Sequence, residues 1–231
     1  MGYQLTLDTC TKACSVALLG LDGAAKQFSW FEILERGHAE ILADKVQMLL
    51  KQAGISASEI SQIAVTIGPG TFTGARIALS FARMFASARK IPVIAVNSLQ
   101  ATAFNAIAQL NLTSNNNIYV AMDARRGQVY FAGYNSQGTE ILAPKAVEIS
   151  EAILLINEDV ILLGTGRALL LDHLPNFKEL HLLTENMQFP DAGIFATFVK
   201  NYPHAENKVS PLYLRAADAK LPSSHPITFT Q

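Results

Sequence analysis

Charge is scarce in this chain. Of its 231 residues only 16% are Asp, Glu, Lys or Arg, and the formal net charge is -1. Phosphate contacts need a basic surface, so this balance argues against strong autonomous nucleic-acid binding; if RNA takes part, a partner supplies most of the contact. Cysteine is limited to Cys10 and Cys14. Neither zinc nor thioredoxin chemistry uses a lone C-x-x-x-C pair, so both are expected as small, buried, reduced core residues. No apolar run reaches the ~20 residues that a membrane span requires. The opening Met1-Gly2-Tyr3-Gln4 lacks the basic region and apolar stretch of a signal peptide, and a cytosolic protein is expected. The histidines, His38, His173, His181, His204 and His225, include no two spaced i, i+4. No helix therefore offers a metal ion two imidazoles one turn apart. G-x-S-x-G does not occur, and no Ser-His-Asp or Cys-His arrangement has local support.

What is present is apolar: half of the residues are hydrophobic, enough for one two-lobed unit or two small domains with real cores. The run Ile63 to Ile67 stops at Gly68-Pro69-Gly70, a tight turn that no bulky residue could make, and a helix over Thr73 to Ala88 follows with Thr71 or Thr73 as N-cap. At about 100° per residue its apolar side chains fill roughly 220° of the circumference, about twice what one sheet face needs. Either the helix is enclosed within its own chain or it buries a second surface against something else. The small row Gly74, Ala78, Ala82 would let another helix approach closely, so Ala78→Glu or Ala82→Arg is expected to abolish pairing.

In order, Tyr3 to Asp8, Ser15 to Gly20 and Gln27 to Leu34 read as three antiparallel strands, with Asp22-Gly23 as a hairpin signal. A helix spans His38 to Ala53 and ends at Gly54, carrying Ile41 and Met48 on its far side. Ser56 to Glu59 has capping-box spacing; after the central helix come a strand over Pro92 to Val96 and a helix, capped by Asn97 or Ser98, to about Leu110. The polar run Thr113 to Asn117 places a lobe boundary at 112/113. A weaker copy of the plan follows: a hairpin of Ile118 to Ala124 and Gln128 to Tyr134, a strand over Glu140 to Ala143, a helix capped by Ser150, strands at Val160 to Leu163 and Leu180 to Leu183, and a helix over Asp191 to Tyr202. Two lobes that each begin with a three-stranded meander suggest an α/β protein of the duplicated ribonuclease H-like fold of actin, heat-shock chaperones and sugar kinases. Residues 1–112 form the first lobe, 113–221 a smaller second one, and 222–231 a flexible tail.

The segments L-D-T-C-T-K-A-C-S-V-A-L-L at 7–19, H-A-E-I-L at 38–42, G-P-G-T-F-T-G-A-R-I-A-L at 68–79, M-D-A-R-R-G-Q-V-Y at 122–130 and P-L-Y-L-R at 211–215 resemble the TsaB (YeaZ) family. The resemblance implies a role in making threonylcarbamoyladenosine in tRNA, as a non-catalytic relative of the transferase TsaD that pairs with it, joined by the ATPase TsaE. It also implies a homodimer when the chain is alone, contact with tRNA only through the complex, and the first two main helices as the pairing face. Here that face maps to His38, Ile41, Leu42, Lys45 and Met48, and to Gly74, Ala75, Ala78, Leu79 and Ala82. TsaD-like sequences carry a metal-binding H-x-x-x-H; this chain has none. Asp8, with Thr9 beside it, and Asp123, with Arg125 beside it, occupy strand ends where the superfamily places a magnesium-water carboxylate; hydrogen bonding to turn amides is the other reading. The first implies a rival function, an ATP-dependent phosphotransferase using both aspartates. Otherwise no nucleotide is expected on the isolated chain, with ATP or ADP at the complex interface.

Overall fold

β1 (Tyr3–Asp8) lies at the centre of a five-stranded mixed sheet and is buried along nearly its whole length. The computed structural model describes residues 2–22, 26–114, 116–156, 160–174, 183–204 and 209–215. β2 (Ala13–Gly20) and β3 (Gln27–Ile33) continue the sheet antiparallel on one side of β1; β4 (Ile60–Thr66) and β5 (Val93–Val96) continue it parallel on the other, giving the order β3-β2-β1-β4-β5. The period-2 alternation of a strand then sorts the apolar residues. Leu5, Leu7, Val16, Leu18, Ile63 and Val65 meet helices α1 (His38–Ala53) and α2 (Phe72–Arg89) on one face. Ala17, Leu19, Ala64 and Ile94 meet α3 (Ser98–Gln109) and α6 (Ala192–Val199) on the other.

A second mixed sheet repeats the plan with four strands among the described residues. β6 (Asn117–Arg125), β7 (Gln128–Asn135) and β8 (Glu140–Glu148) form the meander, and β9 (Val160–Leu163) adds parallel to β6, in the order β8-β7-β6-β9. Helices α4 (Ile149–Leu154) and α5 (Arg167–Leu171) belong to this half. α3 sits between the sheets, with Ala101 and Phe104 in the first core and Leu99, Ala103 and Ala106 against Ile118, Val120 and Met122 of β6. Serving two cores explains why so much of its surface is apolar.

Several boundaries differ from expectation. β8 runs on to Glu148, paired with β7 through Val129 and Val147, and α4 starts at Ile149 with no side-chain cap, so Ser150 lies inside the helix. α6 was expected in the second lobe. It packs instead on β2, β1 and β3 of the first sheet, because the outer face of that sheet carries Ala17 and Leu19 and needs a cover. Of the strand expected at Leu180 to Leu183, Leu183 is not in a strand and 180–182 lie outside the described residues, as does the tail 222–231. Cys10 and Cys14 are buried free thiols, and burial pushes Cys10 up to about 12. No helix among the described residues is long and apolar enough to cross a membrane.

Candidate partner-binding face

Thr71 caps α2, its hydroxyl accepting from the Gly74 amide at 3.1 Å, and the turn before it is fastened to the β1–β2 turn by Thr71 N–H donating to the Cys10 carbonyl at 2.7 Å. The approach is so close that a Cβ on Gly70 would collide with the Cys10 carbonyl, and one on Gly74 with the Thr9 carbonyl. The Thr9 hydroxyl completes the fastening: it donates to the Gly74 carbonyl at 2.6 Å and accepts from the Ala78 amide at 3.1 Å, the two groups that face each other across one helical turn. Thr9→Val keeps the shape and deletes the hydroxyl. It is expected to cost about 1–3 kcal/mol, read as a lower Tm in calorimetry, whereas an unchanged Tm would show that the clip is energetically idle.

This geometry corrects the expected interface. Gly74, Ala75, Ala78, Leu79 and Ala82 all face inward, with Ala78 and Ala82 at 0% exposure. The small residues make room for the chain's own β1–β2 turn and sheet rather than for a foreign helix. Ile41 and Met48 pack against the first core, Lys45 places Nζ 4.4 Å from the Trp30 ring centre on the β3 side, and His38 is half-buried. The surplus of the wide apolar arc is real but lies elsewhere. Phe72, Ile77, Phe81 and Met84 of α2 face Ala39, Leu42 and Ala43 of α1 across a groove of about 580 Å³, of which Leu42 is the buried floor. A smaller hollow of about 200 Å³ continues it past Phe81 to Asp44, Gln47 and Leu50. Phe72 is 55% and Met84 65% exposed, which is unusual for large apolar side chains sharing one groove. The signal that could have found them is in the sequence: Ile77, Phe81 and Met84 lie in the same arc as the small row, on the side away from it.

One wall of the groove is braced from far along the chain. Residues 209–215 run back across α2, with Leu212 N–H donating to the Ile67 carbonyl at 2.8 Å and Arg83 donating to the Val209 carbonyl. Tyr213 stacks on Phe72 with ring centres 5.5 Å apart, and Arg215 Nη1 donates to the Ala124 carbonyl at the end of β6 at 2.9 Å.

The strand-end aspartates are both occupied locally. Asp8 is 0% exposed; its Oδ1 accepts from the Thr66 hydroxyl and from the Cys10 amide, and its Oδ2 has no hydrogen-bond partner among the described residues. Burial pushes its carboxyl up to about 7, only partly offset by those hydrogen bonds. Thr9 is equally enclosed. Asp123, on the other sheet, closes its own hairpin: Oδ1 accepts from the Arg125 amide at 2.7 Å and Oδ2 pairs with Arg125 Nη1 at 3.1 Å. The bare G-x-G at 164–166 is a packing device, since a Cβ on Gly164 would strike the Ala121 carbonyl. None of this presents two carboxylates to a magnesium ion, and among the described residues no three His, Cys, Asp or Glu side chains gather as a metal site.

Comparison with known proteins places this geometry. The family model for TsaD, tRNA N6-adenosine threonylcarbamoyltransferase, matches residues 32–173. The chain is 34% identical to the tRNA threonylcarbamoyladenosine biosynthesis protein TsaB of Escherichia coli over 70% of this chain and 71% of that one. It is 28% identical to the TsaB of Haemophilus influenzae over 91% and 92%. The structure of YeaZ from Pseudomonas aeruginosa superposes with a TM-score of 0.75 at 29% identity, covering 93% of this chain and all of that one. With the two mixed sheets and their flanking helices, these likenesses show that the chain belongs to the TsaB (YeaZ) family of tRNA threonylcarbamoyladenosine biosynthesis proteins, on the two-lobed α/β fold of the actin-like superfamily.

Proposed function

We propose that this chain is a non-catalytic, activating subunit that docks a TsaD-type transferase in the groove between α1 and α2, with a TsaE-type ATPase joining the complex. The observation that carries the reading is the solvent-open apolar groove itself, with Phe72 and Met84 standing in it. The TsaD family model extends over 32–173, which takes in both helices. A TsaD-type partner therefore has counterparts of α1 and α2, and two like faces can meet about a pseudo-two-fold axis, as two copies of this chain would about a true one. Burying the groove contributes on the order of 25 cal/mol per Å² of apolar surface before association entropy is subtracted. The carboxyl of Asp8 is sealed and no histidine pair is spaced to hold a metal, which supports a supporting role over a catalytic one. In this reading tRNA is met only through the complex, in the cytoplasm; the isolated chain holds no nucleotide, and ATP or ADP binds at the junction with the transferase.

Met84→Asp tests it. A charge set in the groove would have to be desolvated on docking, so pairing with the transferase is expected to weaken at least about a hundredfold while the variant melts as the wild type does. Modification of tRNA reconstituted from purified transferase, ATPase and this chain should fall in parallel. A folded Met84→Asp that pairs and supports modification normally would overturn the proposal.

A further inference from the structure

The groove has a charged rim that its apolar floor does not explain. Arg76 lies flat on Phe72, its guanidinium carbon 3.5 Å from the ring centre, and its Nε donates to the Tyr213 hydroxyl at 2.9 Å. Stacked and hydrogen-bonded, the side chain is held in one orientation before anything binds, and among the described residues its two terminal nitrogens have no partner. A guanidinium with its Nη edge free is a fork for a carboxylate, and one held in place in advance loses little freedom on binding. On the opposite helix Asp44 borders the smaller hollow that continues the groove past Phe81, is exposed, and has no hydrogen-bond or ionic partner among the described residues. Among the described residues, one wall thus carries an unpaired cation and the other an unpaired anion.

We infer that Arg76, clamped by Phe72 and Tyr213, is a specificity-determining residue of the docking face, and that in the self-paired protein it takes the Asp44 carboxylate of a second copy. The inference rests on the docking reading above. With the two-fold axis running along the groove, the α2 wall of each copy lies toward the α1 wall of the other, so the two charges are brought together twice. The partner selected is a chain offering a carboxylate on the corresponding helix; one offering Lys or Arg there is repelled.

The full-length chain is followed by sedimentation equilibrium. Arg76→Glu and Asp44→Arg are each expected to raise the dimer Kd at least about tenfold, and the double variant carrying both to return within about threefold of the wild type. Tyr213→Phe, which removes the acceptor for Nε, is expected to weaken the dimer about threefold, and to change nothing in an Arg76→Ala background. A double variant no better than the single ones, with circular dichroism showing the fold intact, overturns the Arg76–Asp44 assignment. Met84→Asp separates the two levels: if it breaks the dimer while the charge swap fails to restore it, only this inference falls, and if the dimer survives it, the docking reading falls as well.

Discussion

Ala78→Glu should leave no folded chain to assay. Ala78 is at 0% exposure, its amide is bound by the Thr9 hydroxyl, and it belongs to the same core as Leu5, Leu7, Val65 and Leu79. A glutamate there needs room for its extra heavy atoms in a close-packed interior, and a carboxylate with no cation to meet it. Overpacking alone costs about 1–3 kcal/mol and an unpaired buried charge several more. Against a typical total stability of about 5–15 kcal/mol, their sum removes most or all of the folded population. The expected result is insoluble expression, or a soluble fraction without a cooperative melt by circular dichroism. A soluble Ala78→Glu that melts cooperatively and is merely monomeric would restore Gly74, Ala78 and Ala82 as a stripe for a foreign helix. The contrast with Met84→Asp, three residues beyond Phe81 on the outer side and expected to fold normally, is what separates the two faces of α2.

Asp8→Asn should stabilise the protein, and only on the alkaline side. The Asp8 carboxyl is pushed from 3.8 to about 7 chiefly because burial disfavours its charged form, and among the described residues the Oδ2 atom has no donor to compensate. Between about pH 4 and pH 7 the folded chain therefore holds a proton that the unfolded chain has released, so stability falls as pH rises through that window. The full loss above pH 7 is about 4 kcal/mol, since each pKa unit is worth about 1.4 kcal/mol. Burial pushes Asp191 in the same direction, and it adds to the slope. Asparagine keeps the acceptor for the Thr66 hydroxyl and cannot ionise. Denaturant titration should give Asp8→Asn an advantage over the wild type that grows by about 3 kcal/mol between pH 5 and pH 8.5. A wild type whose stability does not fall between those two values would show that Asp8 is solvated or paired in solution.

Much of this architecture was readable from residue order. The strand Tyr3–Asp8, the helix His38–Ala53 with its Gly54 stop, the capping box at Ser56 and Glu59, and the hairpin around Arg125-Arg126-Gly127 depend on neighbours within a few positions, and the structure has them where they were expected. The open groove between α1 and α2 was harder for a specific reason. Helical periodicity gives the width of an apolar arc but not which edge of it touches the sheet, and small residues announce a close backbone without saying whose. Gly74 and Ala78 turned out to accommodate Thr9, which leaves Phe81 and Met84 outside. The placement of α6 on the first sheet, and of Tyr213 beside Phe72, depends on pairings across much of the chain that no local pattern encodes.

The brace formed by residues 209–215 has a consequence for how the protein is made. Phe72 and Arg76 emerge from the ribosome early, whereas Tyr213, which steadies both, is translated far later. Until it is made, Phe72 and Arg76 lack that support, so the finished groove wall requires the chain through residue 213.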